Sequence, residues 1–242
     1  MLQHRHIVIT GGASGIGAAT VDIALQRGAR VHSLDLNATP LGRPGLTASV
    51  VDITDLDQVR RAVREAHGAM GGIDGLVNVA GLGGSAGSLQ DTDLGMWRKI
   101  IDVNLMGTLH VTALALPMLR AAAQASIVNI SSGAALKPFP GSGAYAAAKR
   151  GVLALTQVWA MELGPTIRVN AVCPGAVETP MLRERNEAAT SGGRAPLSAE
   201  MYALKRFAQP AEVATAIAFL LGADASFITG VTLPVDGGRS YH

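Results

Sequence analysis

Short, near-continuous apolar runs alternate along the chain with longer segments of helical periodicity. His6–Thr10, Arg30–Leu34, Thr47–Val51, Leu76–Val79, Ser126–Ile130, Arg168–Val172 and Thr232–Val235 each read as a strand. Their apolar residues follow one another rather than alternating with polar ones, the pattern of strands covered on both faces. Helical segments are predicted at Gly15–Arg27, Leu56–Met70, Asp93–Ala123, Ala144–Leu163 and Ala211–Leu221. Repeated strand–helix–strand order predicts an α/β fold: a doubly wound parallel sheet of seven strands, with helices on both faces and right-handed crossovers. No repeat, low-complexity tract or linker interrupts it, so residues 1–242 are expected to form one domain. The least regular stretch, 178–206, has Ser191-Gly192-Gly193 at its centre and is expected to be a mobile flap over substrate.

Composition narrows the class. Hydrophobic residues make up 48% of the 242 and charged residues 16%, against about 25% charged in an average domain. A disordered chain is thereby excluded. Twenty basic and eighteen acidic residues leave a net charge of +2. Arg60, Arg61 and Arg64 read as the solvated side of a helix, so no nucleic-acid partner is expected. His110 and Pro117 interrupt the longest apolar stretch, no run reaches the roughly 18 residues of a membrane span, and no membrane partner is expected. The lone Cys173 rules out an internal disulfide and a multi-cysteine zinc site, and the histidines show no metal-ligand spacing. No metal is expected, and a reducing cytoplasm fits.

Glycine, at 29 residues, is the compositional anomaly. Thr10-Gly11-Gly12-Ala13-Ser14-Gly15-Ile16-Gly17 follows the first strand and opens the first helix. Glycines let the chain turn and bring backbone N–H groups close to a pyrophosphate, whose charge a helix N-terminus favours. Gly11, Ser14, Gly15, Ile16 and Gly17 are the candidate contacts. Asp35 ends the second strand 18 residues after Gly17, near the ~20 expected of a ribose-binding acid. Its carboxylate suits the two ribose hydroxyls and repels a 2′-phosphate, and Leu36, Asn37 and Ala38 supply no cation, so NAD is favoured over NADP. The alternative for Asp35 is a turn cap. Asp52 contacts adenine, with Ile53 beside it, or caps the turn into Thr54-Asp55.

The chain resembles the short-chain dehydrogenase/reductase family along nearly its whole length. Besides the glycine turn, Asn78-Val79-Ala80-Gly81 is similar to the family's N-N-A-G, and Asn104 in Asp102-Val103-Asn104-Leu105 matches its active-site asparagine. Ser132 lies 13 residues before Tyr145, which opens the Y-x-x-x-K motif Tyr145-Ala146-Ala147-Ala148-Lys149. Pro174-Gly175-Ala176-Val177-Glu178-Thr179 matches the segment ending in a nicotinamide-binding threonine. Val79 departs from the family's second asparagine and removes a side-chain hydrogen bond from that loop. The resemblance implies a Rossmann-like fold, hydride transfer between NAD(H) and a secondary alcohol or ketone, and a homotetramer. It implies Asn104, Ser132, Tyr145 and Lys149 as catalytic residues. Cofactor contacts then extend to Asn78, Ala80, Gly81, Tyr145, Lys149, Pro174, Gly175, Val177 and Thr179, with Asn104 anchoring a water beside Lys149.

The chemistry is physically coherent. Lys149 follows Tyr145 by four residues, so both share one helix face. A phenol ordinarily ionises near pH ~10, and the ammonium is expected to lower that value so that Tyr145 accepts the alcohol proton. Ser132 is expected to hold the reacting oxygen beside it. Ala134, Leu136, Phe139, Met181, Leu182, Met201 and Tyr202, with Leu82 and Ala176, are expected to line a pocket for a hydrophobic or alicyclic small molecule. Lys137 is either a solvent-facing lysine or a partner for an acidic group. The rival readings are an NADPH-dependent ketone or 3-oxoacyl carrier-protein reductase and, from another class, a catalytically silent dinucleotide-binding regulator.

Overall fold

The computed structural model describes residues 2–85, 87–191 and 195–241. Seven strands form one parallel sheet in the order β3-β2-β1-β4-β5-β6-β7: β1 His6–Thr10, β2 Arg30–Asp35, β3 Leu46–Val50, β4 Gly75–Asn78, β5 Ala125–Ile130, β6 Ile167–Pro174 and β7 Thr232–Val235. Consecutive residues of a strand serve opposite faces. Val8 joins the core formed by α2 (Leu56–Met70), α4 (Gly107–Ala121) and α6 (Gly143–Leu163). Ile7 and Ile9 join the core under α1 (Gly15–Gln26) and α8 (Pro210–Leu221). That two-sided burial is why the strands read as continuous apolar runs.

The segment expected as one helix over Asp93–Ala123 is three consecutive pieces: α3 Leu94–Ile101, a π-helical turn Asp102–Met106, and α4. Residues 94–121 are long and apolar enough to cross a membrane by composition and length. In this fold Val111, Ala115 and Leu119 of that helix are fully buried against the sheet.

The stretch expected as a flap contains a helix. Pro180–Ser191 forms α7, after β6, and a short helix, α5, Gly133–Leu136, precedes α6. The residues of α7 favour helix, but none is buried, so no apolar stripe marks it in the sequence. Gly192 and Gly193 lie outside the described residues.

The site lies where the strand order reverses. The chain winds outward from β1 through β2 to β3, then returns to place β4 beside β1. A crevice opens there beyond the carboxyl ends of the strands.

Candidate active site

The glycine turn is shaped by contacts only glycine permits. Gly11 and Gly15 have positive φ, and a Cβ on Gly17 would stand 1.9 Å from the Gly11 carbonyl oxygen. Ser14 is the N-cap of α1, yet its side chain makes no capping bond, and the first turn holds no acid. The first-turn N–H groups, Gly15, Ile16 and Gly17 among them, therefore remain available to an anion. Thr179 stands over the turn, its methyl 3.1 Å from where a Gly15 Cβ would be, and its hydroxyl donates to the Val177 carbonyl at 3.1 Å. This uncapped cradle fits the pyrophosphate of a dinucleotide.

Asp35 faces the same turn. Oδ2 accepts from Ala13 N–H at 3.0 Å and Oδ1 from Asn37 N–H at 2.9 Å. Asp52 Oδ1 accepts from both the N–H and the hydroxyl of Thr54, which is the turn-capping geometry, while the residue also lines a cavity of about 670 Å³. Leu36, Val103 and His110 line that cavity, and so do Arg98 and Lys99. Those two cations come from α3, more than sixty residues away in sequence, and nothing near Asp35 in the sequence announces them. Ile53 is buried beneath Gly107, and its carbonyl accepts from the His110 ring at 3.1 Å, so its side chain belongs to the core.

The loop after β4 answers the question posed by Val79. Thr10 Oγ1 accepts from the N–H groups of both Val79 and Ala80, each at 3.0 Å. The main chain is thus tied to β1 without a side chain from position 79, which instead packs into the core. Asn78 is buried beneath the site rather than open to it. Its amide donates to Thr112 and Asn129, and Asn129 donates to Thr156, a polar chain running under the sheet end from α4 to α6.

Three elements bring the expected catalytic residues together. Ser132 is the N-cap of α5, its Oγ accepting from Ala134 N–H at 3.1 Å. Tyr145 and Lys149 lie one turn apart on α6, with Lys149 Nζ 5.9 Å from the Tyr145 ring centre. Asn104 sits in the π turn, fully buried. Its amide donates to the Leu82 and Ile100 carbonyls at 2.9 Å and accepts from Leu82 N–H at 3.2 Å. A Cβ on Gly81 would meet both Asn104 Oδ1, at 2.8 Å, and Lys149 Nζ, at 3.4 Å. Gly81 therefore marks the junction of the asparagine and the lysine.

The electrostatics differ from the expected lowering of the Tyr145 pKa by Lys149. Burial pushes the Tyr145 phenol above its ordinary value, and a hydrogen bond with Ser132 and the charge of Arg185 only partly offset this. Lys149 is itself desolvated: burial lowers its pKa from 10.5 to about 8, and Nζ donates to the Ile130 carbonyl at 2.9 Å. A buried ammonium turned toward a carbonyl offers the phenolate less than the i,i+4 spacing implies.

The expected pocket residues divide between two places. A Cβ on Gly83 would stand 2.8 Å from Met181 Cγ, so α7 leans on the loop after β4. Ser85 ties that loop to Gly141 at 2.8 Å, and the Arg185 guanidinium lies 5.1 Å from the centre of the Phe139 ring. Met181 and Phe139 thus form a rim over the Ser132 and Tyr145 side, with Leu182 half-buried on α7. Ala134 is buried and Leu136 packs against the small core around Cys173. Tyr202 is placed elsewhere. Its ring is buried against Gly175 and Phe207, its hydroxyl accepts from Ala176 N–H at 3.0 Å, and it lines a separate cavity of about 340 Å³ beyond β6 and β7. Met201, on the adjoining 3₁₀ turn, is exposed. Gly175 is held between Tyr202 and Asp236, with Pro174 and Val177 buried beside it.

Comparison with known proteins places this geometry. A family described as Enoyl-(Acyl carrier protein) reductase matches residues 11–240. The chain is 39% identical over 254 residues to the 3-oxoacyl-[acyl-carrier-protein] reductase FabG of Thermotoga maritima, covering 98% of each chain. It is 37% identical over 245 residues to a 2,5-dichloro-2,5-cyclohexadiene-1,4-diol dehydrogenase of Sphingobium indicum, covering 98% of this chain and 97% of that one. The solved 3-ketoacyl-(acyl-carrier-protein) reductase of Brucella melitensis, complexed with NADH, superposes with a TM-score of 0.90 at 31% identity. That match covers 99% of this chain and 100% of the other. The cofactor class is a nicotinamide dinucleotide. The chain belongs to the short-chain dehydrogenase/reductase family and is an oxidoreductase acting on CH–OH groups.

Proposed function

We propose that this protein is an NAD-dependent dehydrogenase of alicyclic or otherwise hydrophobic secondary alcohols, working through Ser132, Tyr145, Lys149 and Asn104. The observation that carries the reading is the convergence of Ser132 and Tyr145, close enough for Ser132 to act on the phenol, with Lys149 one helical turn below. Tyr145 accepts the proton of the substrate hydroxyl during oxidation and returns it to the carbonyl oxygen during reduction. Ser132, whose Oγ lone pair is occupied by Ala134 N–H, keeps its own proton to donate to the reacting oxygen and hold it near Tyr145. Lys149 and Tyr145 hold the nicotinamide ribose, and Asn104 fixes the loop at Gly81 beside them. The bound nicotinamide supplies the hydride acceptor. Because burial raises the Tyr145 pKa, the phenol is neutral near pH 7, ready to donate but slow to accept. Oxidation therefore speeds up with rising alkalinity while reduction does not.

Tyr145→Phe tests the reading directly. It should lower turnover of cyclohexanol about 10²–10⁴-fold while NADH binding, followed by fluorescence, stays within a few-fold. Unchanged turnover would exclude the acid–base role, and an unaltered protein that turns over no alcohol or ketone would favour the silent regulator.

Asp35 supports NAD over NADP, since a carboxylate at the ribose repels a 2′-phosphate. Arg98 and Lys99 in the adjoining cavity favour the second reading, an NADPH-using reductase, and the ratio of NADH to NADPH dissociation constants decides between them. The Sphingobium relative supports an alicyclic substrate and the Thermotoga relative an acyl one. Homotetramer formation is supported by Val158 and Met161 on α6, 49% and 87% exposed, and a single-subunit mass by light scattering would overturn it. Residues 178–206 are proposed to close over substrate, which would slow hydrogen exchange in α7 when NADH and a substrate analogue bind. The lone buried Cys173 is compatible with a cytoplasmic setting.

A further inference from the structure

The rim over Tyr145 carries a charge that the proposed chemistry does not use. Arg185 projects from α7 onto the face of Phe139, 5.1 Å from its centre. Phe139 belongs to the α5–α6 connection, so this stack spans the mouth of the site from one wall to the other. Met181, one turn earlier on α7, is pressed against Gly83, which fixes the helix at that height. Among the described residues, no carboxylate lies within ion-pairing distance of Arg185 and its guanidinium donates no hydrogen bond. Glu178, Glu184 and Glu187, its acidic neighbours in sequence, are not paired with it.

A guanidinium held over the electron-rich face of an aromatic ring keeps N–H donors free on its outer edge, where a carboxylate can take two of them at once. The charge of Arg185 also acts on the Tyr145 phenol, which sets the guanidinium on the reacting side of the rim, beside Phe139. Lys137, half-buried two residues before Phe139, makes no ion pair among the described residues and adds to the positive rim.

We propose that Arg185 is a specificity-determining residue that binds a carboxylate on the substrate, making hydroxy acids and oxo acids with an apolar ring or chain the preferred class. The proposal rests on the dehydrogenase reading for the position of the reacting carbon, but carboxylate recognition can be measured without turnover. Calorimetry on the NADH-saturated protein should show cyclohexanecarboxylate binding more tightly than cyclohexanecarboxamide. Arg185→Gln should weaken the acid by about 10- to 100-fold, the range of a charge-assisted pair, and leave the amide within twofold. Arg185→Lys should recover part of the preference, and added salt should erode it. In turnover, R185Q should raise KM for 4-hydroxycyclohexanecarboxylate while KM for cyclohexanol stays within twofold, and any change in kcat from the charge lost near Tyr145 should be the same for both substrates. Equal binding of acid and amide by the unaltered protein, or an equal loss of both in R185Q, overturns the proposal. Acid-selective binding without oxidation of either alcohol would instead uphold Arg185 and reject the dehydrogenase reading.

Discussion

The two halves of the crevice are built from different materials. The dinucleotide half, around β1, β4 and the glycine turn, is main chain held by main chain and buried hydroxyls: Thr10 clamps Val79 and Ala80, and Gly17 is pressed onto Gly11. The substrate half is side chains on a helix with no buried residue, touching across a gap: Met181 on Gly83, Arg185 on Phe139. The first arrangement tolerates almost no change in volume, because a new atom meets backbone. The second can be rewritten one side chain at a time without disturbing the sheet. A family can thus keep one cofactor frame while changing its substrates.

That contrast breaks most sharply at Gly17. Gly17→Ala puts a methyl into the Gly11 carbonyl; it should cost about 2–3 kcal/mol of stability and loosen NADH by more than about 100-fold, measured by denaturation and fluorescence titration. Thr10→Val is nearly isosteric but strands two backbone donors, and should cost about 2–3 kcal/mol with a smaller loss of NADH affinity.

Lys149→Met should do the reverse, abolishing turnover while stabilising the fold by about 1–3 kcal/mol at pH 7. Burial lowers the folded-state pKa of Lys149 from 10.5 to about 8. Between those values the unfolded chain binds the extra proton, so wild-type stability rises with pH across that window. The advantage of the methionine variant should therefore shrink as pH rises from about 8 toward 10.5, as chemical denaturation at several pH values would reveal. Met181→Ala, on the other side of the crevice, should shift KM for a bulky alcohol by only a few-fold (one methylene-sized contact is worth about 1 kcal/mol) and leave NADH affinity and melting temperature unchanged.

Much of the fold was legible in the sequence because each strand is buried twice over. Ile7, Val8 and Ile9 serve alternate faces and must all be apolar, and the same holds for Ile127 and Val128 of β5. Tyr145 and Lys149 were legible for a local reason, since four residues make one helical turn. The π turn at Asp102–Met106 was not, because it depends on Asn104 finding the carbonyls of Leu82 and Ile100. Nor was α7, whose residues favour helix but bury nothing. Tyr202 was expected among the residues lining the substrate pocket, and the fold uses its hydroxyl to hold Ala176 instead.

From the order of its residues alone, this chain's sheet, its glycine turn, and the Tyr145–Lys149 pair on one helix could be derived, since all three follow from spacing between near neighbours. Packing between distant segments decided the rest: that Arg98 and Lys99 line a cavity with Leu36, that Arg185 reaches Phe139, and that burial rather than Lys149 governs the Tyr145 phenol. Charge and desolvation act through space, and which groups share that space is set only when the helices close on the sheet.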